Sequence, residues 1–194
     1  SLLLSIAFTY RLVIQCSELP KRGTNQILRS LNMKDYIVRG MAAGNEIRFL
    51  AAYTRETVET ARTTHNLSPV CSAALGRLLT GGALMGAMCK NEDDVLTLKI
   101  NGAGPAKSLT VTADAHSNVK GIIYNNAVDL PLKENGHLDV GGAIGSGTLV
   151  VIRDEGPGER YVGQTALVSG EIGEDLTYYF AESEQLPTSV GLGV

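Results

Sequence analysis

Apolar and polar side chains change rhythm several times along this chain, and each change marks an element. From Tyr36 the period is two: "YIVRGMAA" (36–43) and "EIRFLAAY" (46–53) predict two strands joined by a tight turn at Gly44-Asn45. Thr54 then reads as the cap of a helix, "RETVETARTTH", whose Glu56 suits the positive end of the helix dipole. Ser68-Pro69, a cap followed by proline in the first turn, opens a second and apolar helix, "VCSAALGRLLTGGALMGAMCK", expected to end near Lys90-Asn91. The period of two returns in "DVLTLKI" (94–100), "KSLTVTAD" (107–114) and "NVKGIIYN" (118–125). "GTLVVIRDEGPGERYVGQTALVSG" (147–170) predicts a hairpin with Gly156-Pro157-Gly158 at its tip. After Glu174-Asp175, "LTYYFAESE" predicts a short acidic-capped helix that stops before Pro187. The sum is an α+β fold, a twisted antiparallel β-sheet with packed helices.

Two stretches make further demands. Val70 to Cys89 carries a single charge, Arg77, and places Gly82 and Gly86 in a G-x-x-x-G spacing, so a membrane helix is one reading. Against it, Ser72, Arg77 and Thr80 gather on one side, with Ala74, Leu78, Leu79, Met85 and Cys89 on the other. Each glycine in the helix costs about 1 kcal/mol relative to alanine, a cost best explained by close packing against a sheet. Leu149 to Ile152 is apolar on both faces, so both sides of that strand are expected to be covered. The final "SEQLPTSVGLGV" reads as a Pro-Thr turn and the start of a strand with no later strand to pair with.

Residues 1–32 differ from the rest. Their apolar opening is interrupted at Arg11 and is far shorter than the roughly 18–20 residues of a spanning helix. It also lacks the charged start and cleavage site of a signal peptide. Met33 begins "MKDYIVRG", which reads as a native start. Residues 1–32 are therefore expected to be a non-native upstream extension, disordered or loosely packed, ahead of one domain over 33–194.

Composition narrows the function classes. The 194 residues, 44% apolar and 19% charged, suffice for one full-sized domain. A net charge of −3 and the absence of Trp disfavour a nucleic-acid surface. Cys16, Cys71 and Cys89 form no C-x-x-C pair and read as reduced thiols behaving as small hydrophobes. His65, His116 and His137 lack the spacing of zinc ligands, so no metal site is expected in this chain. "NGAGPAK" (101–107) holds a G-x-G but is followed by Pro105 and a strand, so a tight turn is preferred over a phosphate cradle. Ser146 in "GGAIGSG" lacks the strand-to-helix setting of a nucleophile, and Asp93-Asp94 reads as a solvated pair beside a turn. No catalytic residues are assigned. A small nucleotide- or metabolite-binding enzyme using the Gly-rich turns stays open as the alternative. A membrane-anchored protein using 1–16 and 70–89 is the third class.

Three segments together carry a resemblance: "INGAGPAKSLTVTADAHSNVKGIIYN", "GERYVGQTALVSGEIGEDLTYYFAESEQLPT" and "YIVRGMAA". They resemble the redox-regulated holdase chaperones of bacteria, the thirty-three-kilodalton heat-shock protein family, over all of 33–194. The resemblance implies an ATP-independent, cytoplasmic stress chaperone that binds unfolded or aggregation-prone proteins, with a homodimer left open and neither nucleic acid nor membrane as partner. It also implies further strands, a linker and a C-terminal module whose four cysteines, as C-x-C and C-x-x-C, hold zinc. The domain then reads as incomplete at its C-terminus, without cofactor and without its redox switch. Oxidation of those cysteines would release the metal and uncover an apolar sheet face of several hundred Å² on this domain. The candidate client-binding residues come from the doubly apolar hairpin strand and its neighbours: Leu149, Val151, Tyr161, Val162 and Leu186.

Overall fold

A computed structural model of the chain describes residues 11–15, 34–155 and 160–193. In chain order the elements are β1 (Arg11–Gln15), β2 (Tyr36–Ala42), β3 (Ile47–Tyr53), α1 (Arg55–His65), α2 (Pro69–Gly86), β4 (Val95–Gly102), β5 (Ser108–Asp114) and β6 (Val119–Ile123). After these come α3 (Val140–Ile144), β7 (Gly147–Asp154), β8 (Arg160–Ala166), α4 (Gly173–Glu182) and β9 (Thr188–Gly191). The class is α+β, as the alternating periods predict. The hairpin tip proposed at Gly156-Pro157-Gly158 lies outside the described residues.

The strands form two sheets, ordered β2-β3-β1-β9 and β6-β5-β4-β7-β8. Every pair in the five-stranded sheet is antiparallel; β4-β5, β5-β6 and β7-β8 are neighbours in sequence, as antiparallel pairs readily are, while β7 returns to pair with β4 after β5, β6 and α3. The four-stranded sheet is mixed, because β1 lies parallel to both β3 and β9. Within the segment expected to be disordered or loosely packed, Arg11–Gln15 thus form a strand, and its other residues lie outside the described ones. The strand at 188–191, expected to have no partner after it, finds one before it: Val190 is level with Ile14.

Helix α2 is the axis of the core. Ser68 caps it by accepting from the Cys71 amide at 3.4 Å, with Pro69 in the first turn. Fifteen of its eighteen residues are buried, so the two-sided helix read from the sequence is covered almost all round. Gly82 and Gly86 have a packing reason. A Cβ at Gly86 would stand 2.4 Å from the Asp114 carbonyl oxygen, and one at Gly82 would stand 2.8 Å from Val111. Only hydrogens there let α2 lie on β5. The helix ends at Gly86, earlier than expected, in a tightened turn where the Met88 and Cys89 amides donate to Met85 and Gly86. No described helix is long and apolar enough to cross a membrane.

Polar ties hold the surrounding elements to that axis. Thr54 does not cap α1 with its side chain. Its hydroxyl is 2.7 Å from that of Thr80 on α2. The cap comes from Asp35, ahead of β2, whose carboxylate accepts from the amides of Glu56 (2.9 Å) and Thr57 (2.7 Å). A carboxylate at the positive end of a helix gains from both the free amides and the dipole. Arg77, the one charge on α2, donates to Glu171 at 2.5 Å. Lys133 also donates to Glu171 and lies 3.6 Å from Asp139. Burial pushes the Glu171 carboxyl up, but the hydrogen bonds from Lys133 and Arg77 outweigh it and hold the group below its ordinary 4.5.

Two outcomes follow from these ties. Asp35→Ala should cost about 1 kcal/mol and lower Tm by about 2–4 °C, read by thermal unfolding; an unchanged Tm would remove Asp35 as the cap of α1. A carboxyl held lower in the folded chain than in the unfolded one adds stability above its unfolded value, and that increment is lost as pH falls through the folded value. Stability should therefore fall more steeply for the parent than for Glu171→Gln on acidification below the ordinary 4.5 of this group, as urea unfolding at a series of pH values would report.

Candidate functional site

The four described helices lie on one side of the five-stranded sheet. The strand positions facing them are core: Leu96, Leu98 and Ile100 on β4, Leu109 and Val111 on β5, Leu149 and Val151 on β7. Alternation by two then fixes what the outer face presents. Across it, Val162 is level with Ile152, and Ile152 with Thr97. One row along, Gln164, Val150, Lys99, Thr110 and Ile122 stand in register. No described helix crosses this face, and Val162 and Ile122 are 55% and 58% exposed.

Among the described residues, β2 and β3 of the four-stranded sheet carry a second exposed apolar patch. There Tyr36 faces Tyr53 with ring centroids 5.7 Å apart, and Val38 faces Ala51. Tyr36 and Val38 are about half exposed. Scattered exposed apolar residues are ordinary, but contiguous ones mark a surface that other molecules touch.

The five candidate residues separate. Leu149 and Val151 are 1% and 0% exposed and point toward the helices, so they belong to the core and form no surface. The strand is doubly apolar because its inner face is core, while its other face, Val150 and Ile152, stays half-buried beside its neighbours. Covering was expected on both sides, and no described helix covers the outer one. Val162 is the one of the five on the open face. Tyr161 is level with Arg153 at the inner rim, with its hydroxyl 3.1 Å from that of Ser183. Leu186 is half-buried against the core. Val150, Ile152 and Ile122 were missed, although the adjacent isoleucines at 122–123 repeat the same doubly apolar signal.

Ionisable and Gly-rich segments serve structure. In the turn at 101–107, the amides of Ala103, Gly104 and Ala106 donate to the carbonyls of Ser146, Ile144 and Ala143. A Cβ at Gly104 would meet the Ala143 oxygen at 2.5 Å, so this glycine permits backbone contact, and the amides a phosphate would need are taken. Asp94 is buried rather than solvated, accepting from the Lys90 and Asn91 amides and from the Asn91 side chain. Buried Asp175 gathers the amides of Val168, Ser169, Gly170 and Ile172. A cavity of about 250 Å³ opens beside Asp35, Tyr36, Thr57 and His116, where both Asp35 oxygens already hold α1.

The thiols do not fit a zinc site. Cys71 is buried and its Sγ donates to the Asn125 carbonyl at 3.3 Å, while burial, aided by Asp94, pushes the Cys89 thiol up and away from the thiolate a metal needs. Among the described residues no group of three or more His, Cys, Asp or Glu is placed to hold a metal ion. Cys16 lies outside the described residues.

Comparison with known proteins places this fold. A family model described as Hsp33 protein matches residues 35–194. The 33 kDa chaperonin of Lachnoclostridium phytofermentans is 62% identical over 162 residues, 84% of this chain and 56% of that protein. That of Clostridium novyi is 52% identical over 163 residues, again 84% of this chain and 55% of the relative. The crystal structure of the 33 kDa chaperonin from Thermotoga maritima superposes with a TM-score of 0.75 at 44% identity, covering 78% of this chain and 52% of that one. The class is therefore an α+β domain shared with proteins named as chaperonins. The match at this length and identity is decisive, and the chain belongs to the Hsp33 protein family. It spans a little over half the length of the relatives it matches.

The division into inner and outer faces has a measurable consequence. Leu149→Ala should cost about 2–5 kcal/mol through loss of packing and the cavity left behind, whereas Val162→Ala should stay within about 0.5 kcal/mol. Urea unfolding of the two variants tests this; equal costs would mean that the two faces are buried alike.

Proposed function

We propose that this chain is the client-binding domain of an ATP-independent holdase, which keeps unfolded proteins from aggregating by holding their apolar segments on open strand faces. The observation that carries the reading is the uncovered apolar strip of Val150, Ile152 and Val162, with Ile122 beyond it, in a chain of the Hsp33 family. Such a strip gives up water when another chain's apolar side chains cover it, at roughly 25 cal/mol per Å². Holding by apolar contact needs no nucleotide and no reacting side chain. The arrangement of carboxylates as loop anchors supports a binding role over the enzyme alternative.

Response to oxidative stress, a cytoplasmic setting and a zinc-holding cysteine module are part of the same proposal. Cys71 and Cys89 are not suited to the switch, so we assign it to the part of the relatives that this chain does not span. A homodimer is compatible with the open faces and is not needed for holding.

The 194-residue chain, added in equimolar amount to a heat-denatured client protein, should suppress light scattering without ATP or oxidant. Val162→Ser with Ile122→Ser should weaken client binding about fivefold, since losing about 1 kcal/mol of apolar contact has that effect. A folded chain, verified by circular dichroism, that leaves client aggregation unaltered would sink the holdase reading.

A further inference from the structure

The open face of the five-stranded sheet is apolar, and its two middle rows are charged in one sense. Lys99 and Lys120 both project from it, because Lys99 is level with Val150 and Thr110 while Lys120 is level with Thr112. Both lysines are exposed, and neither makes an ion pair among the described residues. In the two rows that hold them, the other positions are valine, isoleucine, threonine and glutamine. Acids approach this face at one end, as Asp114 and Asp154 on either side of Val95, where Arg160 pairs with Asp154 at 3.3 Å. The chain as a whole carries a net charge of −3, so a face with two cations and no carboxylate between them runs against its average.

We infer that this face selects client segments that carry carboxylates beside their apolar side chains. The inference rests on the holdase reading and adds the class of segment held. Val150, Ile152, Val162 and Ile122 supply contact, and Lys99 and Lys120 supply sign. The two lysines stand two strands apart, roughly 10 Å, and two residues apart along the strands, roughly 7 Å. The diagonal of about 12 Å matches carboxylates four residues apart on an extended chain, at about 3.3 Å per residue. Lysines flanked by apolar surface favour an acidic partner and repel a basic one, which sets preference more than overall affinity. A segment with apolar residues and no acid would be held less well, and one rich in lysine least.

Fluorescence anisotropy with the 194-residue chain tests this, using two labelled unstructured peptides. They share every apolar position and carry either Glu or Lys at two sites four residues apart. The Glu peptide should bind about fifteenfold tighter at low salt, two pairs gained and two repulsions avoided each contributing a factor of about two. The difference should shrink severalfold in high salt. Lys99→Glu with Lys120→Glu should invert the order, and Lys99→Gln with Lys120→Gln should abolish it with Tm unchanged. Equal binding of the two peptides by the parent, or a preference that survives the Gln variant, overturns the selectivity while leaving the holdase reading in place. If neither peptide binds and client aggregation proceeds unchecked, both readings fall. Tighter binding of a single-stranded oligonucleotide than of the Glu peptide would reassign the lysines to phosphate. Self-association that the Gln variant abolishes would give the face to a second copy. Either result overturns the proposal.

Discussion

Near-complete burial of α2 is the constraint from which the rest of the architecture follows. A helix with one charge in eighteen residues cannot present any side to water at acceptable cost. The elements packed on it are β5, β6 and β4 along one side, β3 along another, and α1, α3 and α4 over what remains. Gly86 brings the β5 backbone at Asp114 against it, and Gly82 makes room for the Val111 side chain. With the described helices all on the inner side, none of them covers the outer face of the five-stranded sheet. The open apolar surface is thus a consequence of how the core is satisfied.

The same economy explains the carboxylates. Asp35 stops the amides of α1, Asp94 closes the turn after α2, Asp175 gathers four amides of the loop before α4, and Glu171 neutralises Arg77. Each is bound to the backbone or a cation that it organises, leaving little capacity to accept a proton from a substrate. Tyr179 belongs to this group. Burial, then its hydrogen bond to Glu184, pushes its hydroxyl far above the ordinary 10, and Glu184 in turn meets Arg153 at 3.2 Å. These ties fasten α4 across the inner side of β7 and β8. They tie the inner side of the hairpin to α4, while no described helix lies on its outer side.

Much of this was legible as local pattern. Period-two runs located β2 to β6 within two residues, the segment 147–170 held the β7-β8 hairpin, and Ser68-Pro69 marked the start of α2, because strand alternation and this cap are set by neighbours in sequence. The candidate surface was legible only in part. The run at 149–152 announced two apolar faces, but nothing local distinguishes Leu149 and Val151 from Val150 and Ile152. Choosing the odd positions placed two candidates in the core and missed two on the open face. Val162 was included as a neighbour of the doubly apolar strand, and its register opposite Ile152 puts it on the open face.

Sequence alone determined the class of fold, the identity of nearly every element and, through three quoted segments, the family. Tertiary structure decided what depends on partners distant along the chain. It took a cap for α1 from Asp35 rather than Thr54, joined β9 to β1 across almost the whole chain, and ended α2 where Gly86 meets Asp114. It also chose which side of each strand to cover. The reason is physical: periodicity records how a segment differs from face to face, whereas pairing and coverage are set by long-range hydrogen bonds and packing that leave no mark within the segment itself.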